Sequence, residues 1–191
     1  IGDPDGSLWP RLLQMLRDED WWVRERVVET LVEVAGADLT RYVVAYLDDE
    51  SDVLRRYAIE VLMRIKDPRS VGAVVRVARD DSDWWVRERA IECLGELGDK
   101  RVVPHIVALA YSDPDLVSVA VEALKKLGPD PESVRFLAEA IRSETAEIRL
   151  AAIGAMRDVG ENDDQIHLED ALHDQDHRVR QAAEGLMTAW T

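Results

Sequence analysis

Two stretches of this chain carry the same uncommon dipeptide in the same setting: Asp20-Trp21-Trp22-Val23-Arg24-Glu25-Arg26 and Asp83-Trp84-Trp85-Val86-Arg87-Glu88-Arg89. Paired indoles beside arginine are the residue types enriched at interaction hot spots, so the chemistry they suggest is recognition. Bond-making chemistry has less to draw on. Cys93 adjoins Leu94 in a Glu-rich segment. Neighbouring carboxylates disfavour a thiolate, so it reads as a buried structural thiol. His173 and His177 stand four apart, which on one continuous helix could hold a metal. The acidic residues between them, Asp174 and Asp176, read as a turn, so a solvated turn is expected. His105 and His167 are isolated. The run Asp48-Asp49-Glu50-Ser51-Asp52 and the pair Asp163-Asp164 also read as solvated turns. The run lacks the Gly and the closing Glu of a calcium loop. No Gly-rich phosphate loop or nucleophile elbow occurs. No catalytic residue, no metal and no cofactor is therefore assigned.

Composition is that of a folded soluble protein and not of a disordered tail. The 191 residues include 39 Asp or Glu against 24 Lys or Arg, for a net charge of −15. The balance of 47% hydrophobic and 33% charged residues is that of a folded chain. The acidity argues against nucleic acid, which needs clustered Lys and Arg. No apolar run approaches the ~20 residues needed to span a bilayer, so no membrane insertion is expected. One cysteine and no recognisable export signal favour the cytoplasm. The start at Ile1, without Met, suggests a piece of something longer.

The Trp-Trp segments lie 63 residues apart, twice a period near 31. The Arg of Val-Arg recurs at Arg24, Arg55, Arg87, Arg149 and Arg180, with Val117 in the fourth slot, giving six units. Four residues earlier stand Asp20, Ser51, Asp83, Asp113, Thr145 and Asp176, all side chains able to cap a helix start. Pro114 follows at a first helical position. Before the Arg column come Val23, Leu54, Val86, Leu116, Ile148 and Val179. Three after it come Val27, Ala58, Ala90, Ala120, Ala152 and Ala183. Seven after it come Leu31, Leu62, Leu94, Leu124, Met156 and Met187. Steps of four and four put one apolar stripe on a helix, and the small middle residue lets a neighbour approach closely. Gly36, Gly98, Gly128 and Gly160 mark its end. Each unit also has an earlier helix, expected over 8–17, 39–47, 71–79, 102–111, 134–142 and 166–173.

The pattern Asp-x-x-Val-Arg-x-x-Ala-x-x-x-Leu, closed by Gly, resembles HEAT repeats, most of all the bacterial class named after phycobilisome lyases. The resemblance implies an all-α fold, an α-α superhelix or solenoid of about six helical hairpins. The units are about 7–36, 37–67, 68–98, 99–128, 129–160 and 161–191, in one solenoid domain spanning 1–191. It also implies that the Asp and Arg columns form a ladder tying successive units together, with Asp18, Asp49, Asp81 and Asp174 just before the caps and the Arg column just after them. Val117 interrupts that ladder and marks a weak point or a change of pitch. The repeat is a packing motif and does not carry an activity.

The resemblance places the second helix of each unit on the concave face. The residues expected there include Trp21, Trp22, Glu25 and Arg26 in the first unit, Tyr57, Glu60 and Arg64 in the second, and Trp84, Trp85 and Arg89 in the third. Val119 and Leu150 follow in the fourth and fifth. The face runs from aromatic, Arg and Glu to small and apolar, which suits a protein or peptide partner. One Trp of a pair can instead pack against the neighbouring unit, and at least one of each pair is expected to be exposed. The reading is a non-enzymatic protein- or peptide-binding scaffold. The alternatives are a component or regulatory domain of a larger enzyme of the chromophore-lyase kind, or a protein like the HEAT-type DNA-repair glycosylases. Iron-dependent HEAT hydroxylases carry His-Glu pairs. Here the residues after the four histidines are Ile106, Leu168, Asp174 and Arg178.

Overall fold

In five of the six units the second helix begins directly after the expected cap, and in the fourth a 3-10 turn comes between them. The computed structural model describes residues 8–34 and 38–190. Second helices are α2 (Trp21–Glu33), α4 (Asp52–Ile65), α6 (Trp84–Leu97), α8 (Val117–Leu127), α10 (Ala146–Val159) and α11 (His177–Ala189). First helices are α1 (Leu8–Gln14), α3 (Leu39–Ala45), α5 (Val71–Asp80), α7 (Val103–Ser112) and α9 (Pro131–Ala140). No strand occurs among the described residues. The sixth unit departs from expectation. Where a first helix was expected over 166–173, the chain forms two 3-10 turns, Asn162–Leu168 and Asp170–His173.

Four of the six cap residues work through their side chains. Asp20 accepts from the Trp22 N–H, Asp83 from Val86, Asp113 from Asp115 and Asp176 from Arg178, at 2.8–3.2 Å. Ser51 and Thr145 form no such bond. Pro114 opens a 3-10 turn, Pro114–Leu116, ahead of α8. Gly36 lies outside the described residues. Gly98 and Gly128 take positive φ after α6 and α8, the left-handed region that glycine enters freely. The second unit has no glycine there, and Lys66 adopts φ 51° at the same place.

The chain divides into two compact units, Ile1–Leu97 and Gly98–Thr191. The boundary falls where the third repeat was expected to end. In the first unit α2, α4 and α6 pack side by side, with α5 against α6 and α3 against α4. The stripe residues Val27, Leu31, Leu54, Ala58, Leu62, Val86, Ala90 and Leu94 are all buried. In the second unit α10 packs on α8, α9 and α11, and α7 on α8 and α9. Its core holds Leu116, Ala120, Leu124, Ala152, Met156, Val179 and Ala183, whereas the stripe residues Ile148 and Met187, like Val23 in the first unit, are only half-buried. Core and caps therefore recur with the period of the sequence.

In the five units that keep it, the Arg of the column closes the turn ahead of the second helix. Arg55 Nη1 donates to the carbonyls of Asp49 (2.8 Å) and Glu50 (3.1 Å), and Arg149 Nη1 to those of Ser143 and Glu144. Arg24 and Arg180 do the same at Asp18, Glu19, Asp174 and Gln175. The other edge of the guanidinium then reaches the next unit. Arg55 clamps Asp81 through Nε (2.7 Å) and Nη2 (2.9 Å), and Arg149 clamps Asp174 through Nε (2.7 Å) and Nη2 (2.8 Å). This is the expected ladder. At Val117 the register position that would receive the clamp is Ser143, so neither an unpaired guanidinium nor an unpaired carboxylate is left. The first rung also differs. Asp49 pairs with Arg17 (2.5 Å), and Arg24 lies over the Tyr57 ring, 5.4 Å from its centre.

Candidate binding surface

The start of α2 and the start of α6 each present two indoles in succession, on the first two residues of the helix. Within each pair the rings meet edge to face, 5.8 Å apart at Trp21–Trp22 and 5.0 Å at Trp84–Trp85. Interplanar angles of 82° and 79° match the preferred quadrupole arrangement. Trp21 (63%), Trp22 (56%) and Trp85 (60%) are exposed. Trp84 is half-buried, and its indole N–H is buried without a hydrogen-bond partner. At least one ring of each pair is thus exposed, as expected, and the first pair shows both. Large indoles in water gain nothing for the isolated fold, so their exposure calls for another explanation.

Between the two indole pairs lies α4, whose first residues are Asp52 and Val53. These short side chains leave a groove of about 450 Å³ lined by Arg24, Glu25, Val53, Arg56, Tyr57, Glu60, Arg64 and Arg89. Its charges are tied to one another. Arg64 donates to Glu60 Oε1 (2.6 Å) along α4 and to Glu25 Oε1 (2.9 Å) on α2. Arg89 on α6 pairs with Glu60 and with Glu92. Arg56 pairs with Asp52 (2.8 Å). Burial opposes the charge of Arg64 and Arg89, yet their Glu partners outweigh it and hold both guanidiniums above the usual range. Glu60 is the acceptor shared by Arg64 and Arg89, and Arg64 carries the network on to Glu25, so α2, α4 and α6 are linked. A ligand entering this floor would have to displace existing partners, whereas the indoles are free to engage.

The expected site residues therefore divide. Trp21, Trp22 and Trp85 stand exposed at the helix starts, and Tyr57 and Arg89 line the groove between them. Arg26 is exposed and pairs with Glu29 (2.5 Å), outside the groove lining. Val119 on α8 and Leu150 on α10 are half-buried in the second unit. Sequence reasoning placed Glu25, Glu60 and Arg64 on the same face but not in a network. The i,i+4 spacing of Glu60 and Arg64 was a usable signal. The bond from Arg64 to Glu25, 39 residues away, had none.

The remaining chemistry-bearing residues are held apart. Cys93 is fully buried, and burial pushes its thiol up to about 12, with Glu60, Glu92 and Glu96 adding to the shift. His173 closes a 3-10 turn and His177 opens α11, so the two imidazoles share no helix face. In the second unit an open cavity of about 660 Å³ lies beside α9, bounded by Pro131, Val134, Arg135, Arg142, Asp164 and His167. It adjoins the 3-10 turns that replace the last first helix.

Comparison with known proteins agrees with the architecture. The family description "HEAT repeats" matches residues 40–125 and 112–187, and "HEAT repeat" matches residues 8–36. Among curated proteins none matches the chain in sequence. Among solved structures, the complex of CpcE and CpcF of phycocyanin lyase from Nostoc sp. PCC7120 is similar at TM-score 0.65 and 21% identity. That match covers 93% of this chain and 75% of the other. A designed armadillo repeat protein in complex with the peptide (KR)4 is similar at TM-score 0.62 and 16% identity, over 97% of this chain and 100% of that one. Human deoxyhypusine hydroxylase is similar at TM-score 0.52 and 23% identity, over 96% and 73%. At these identities the likeness is one of fold. With the repeat period, the capped second helices and the Arg–Asp ladder in place, the chain belongs to the HEAT-repeat family.

Proposed function

We propose that this HEAT-repeat chain is a non-enzymatic protein- or peptide-binding module that works through the face of its second helices. The observation that carries this reading is the exposure of Trp21, Trp22 and Trp85 on either side of the α4 groove. Three large amphipathic rings provide contact area at low conformational-entropy loss, and the cross-linked floor keeps them at fixed spacing. Tyr57 and Arg89 form part of that floor, and Arg26 flanks it. Val119 and Leu150 belong to the corresponding face of the second unit. The engagement of the floor charges with one another and the burial of Cys93 weigh against an enzyme. The net charge of −15 weighs against nucleic acid as partner. The likeness to a designed repeat protein that holds a peptide is consistent with this use of the fold.

The test is to select binders from a random peptide library on the whole chain, then measure them on Trp85→Ala and on the double variant Trp21→Ala/Trp22→Ala. Selected peptides should lose at least roughly tenfold in affinity on either variant. Unchanged affinity on variants with an unaltered helical circular dichroism spectrum would refute the assignment of this face.

A further inference from the structure

Resting on the reading of this face as a binding surface, we propose that its occupant is an extended basic segment that places two cationic side chains about six residues apart, one on each Trp pair. The spacing follows from the packing. α2, α4 and α6 lie side by side, so the indole pairs are separated by two helix-to-helix steps. Two steps of about 8–10 Å make roughly 18 Å. An extended chain advances about 3.3 Å per residue, so that distance corresponds to about six residues.

The charge of the occupant follows from what surrounds the rings. Trp21 and Trp22, both exposed and at 82° to each other, offer π faces to a cation, and at the second pair the exposed Trp85 ring does so with the half-buried Trp84 against it. The positive ends of α2 and α6 would oppose a cation, but Asp20 and Asp83 already accept from the first-turn N–H groups there. The turns beside these helix starts are acidic, from Asp18-Glu19-Asp20 through Asp48-Asp49-Glu50 to Asp80-Asp81-Ser82-Asp83. Of the arginines that reach these turns, Arg17 pairs with Asp49, Arg55 with Asp81, Arg76 with Asp48 and Arg79 with Asp80, while Arg24 and Arg87 donate to the backbone carbonyls of Asp18, Glu19 and Asp81. Glu19 and Glu50 are exposed and carry no ion pair among the described residues. The middle position between the ring pairs is held by Val53 and Asp52, which leaves room for the backbone of the occupant to cross α4.

Tryptophan fluorescence and calorimetric titration of the whole chain with synthetic Gly/Ser peptides test this. One peptide carries two Lys six residues apart, a second carries them two apart, and a third replaces both by Glu. The six-residue spacing should bind at least roughly tenfold tighter than the two-residue spacing, because the second contact becomes intramolecular. Trp85→Ala, or Trp21→Ala with Trp22→Ala, should erase that advantage while leaving weak single-site binding. Raising salt from about 50 to about 300 mM should weaken binding, as for any exposed charge attraction. Equal binding of both spacings, or binding of the Glu peptide as tight as the Lys peptide, overturns the proposal. So does sedimentation showing a dimer that the Trp substitutions dissolve, since the second copy would then be the occupant. If neutral or acidic peptides bind in a Trp-dependent way, the cationic clamp falls and the binding surface stands. If no peptide of any charge binds through these residues, both fall.

Discussion

Replacing Arg55 by Val removes the clearest rung of the inter-repeat ladder. Its side chain is 11% exposed and that of Asp81 only 5%, so the two charges are largely withdrawn from water. The pair is bidentate, at 2.7 and 2.9 Å, and Asp81 Oδ1 also accepts from the Asp83 N–H (2.9 Å). Without Arg55 the carboxylate is stranded and the carbonyls of Asp49 and Glu50 lose their donor. Breaking such a buried pair costs about 3 kcal/mol or somewhat more. Asp81→Ser strands the guanidinium instead and should cost a similar amount, about 3 kcal/mol. The double variant copies what the chain already does at Val117 and Ser143, where both charges are missing together. It strands no charge and loses only the donor to the Asp49 and Glu50 carbonyls, so its cost should be about 2–3 kcal/mol, roughly 3 kcal/mol less than the sum of the two singles. Urea unfolding followed by circular dichroism on all four proteins closes the cycle. If the double variant costs the sum of the singles to within about 0.5 kcal/mol, the ladder is not a coupled pair and the reasoning fails.

Asp67 accepts from the buried Thr40 hydroxyl (2.5 Å) and from the Arg69 N–H, so Asp67→Ala should cost about 1–3 kcal/mol by urea unfolding. The Arg149 guanidinium holds the Asp174 carboxyl below the usual carboxylate range. A lowered folded-state value means the stabilisation is full above the unfolded value of about 3.9 and drains as pH falls below it. The urea midpoint should therefore drop below about pH 4, and Arg149→Met should flatten that acid limb. Cys93 should fail to react with a thiol reagent at pH 8 in the native protein and react at once in urea, because burial pushes its thiol up to about 12. A Cβ on Gly160 would meet the Met156 carbonyl at 2.8 Å and Sδ at 2.9 Å, so Gly160→Ala should destabilise by about 1–3 kcal/mol in the same assay.

Much of the fold was legible because it is local and repeated. A cap, a stripe and a stop act within one helix, and six copies average out the noise of any single one. Where the signal failed, a local rule met a competing one. Ser51 and Thr145 sit in the cap column, yet neither side chain caps its helix. The first helix of the sixth unit tightened into 3-10 turns although its apolar positions were in helical phase. Partner choice in the ladder was legible only in part. Arg55 and Arg149 reach the expected Asp, while Asp49 is taken by Arg17 and Arg24 turns to Tyr57.

The residues alone determined the repeat, the all-helical class, the buried stripe and the list of side chains on the second-helix face. Each follows from spacing along one chain. Tertiary structure decided which of those side chains are available. Trp21 and Trp22 have the same sequence neighbours as Trp84 and Trp85, yet Trp84 is half-buried and the other three stand in water. The difference comes from what packs beside each helix start, and the period of the chain cannot encode it. The same holds for the groove floor. Glu25, Glu60, Arg64 and Arg89 become one network only because α2, α4 and α6 lie side by side. That side-by-side packing turns a list of charged residues into a spent floor and leaves the indoles to meet a partner.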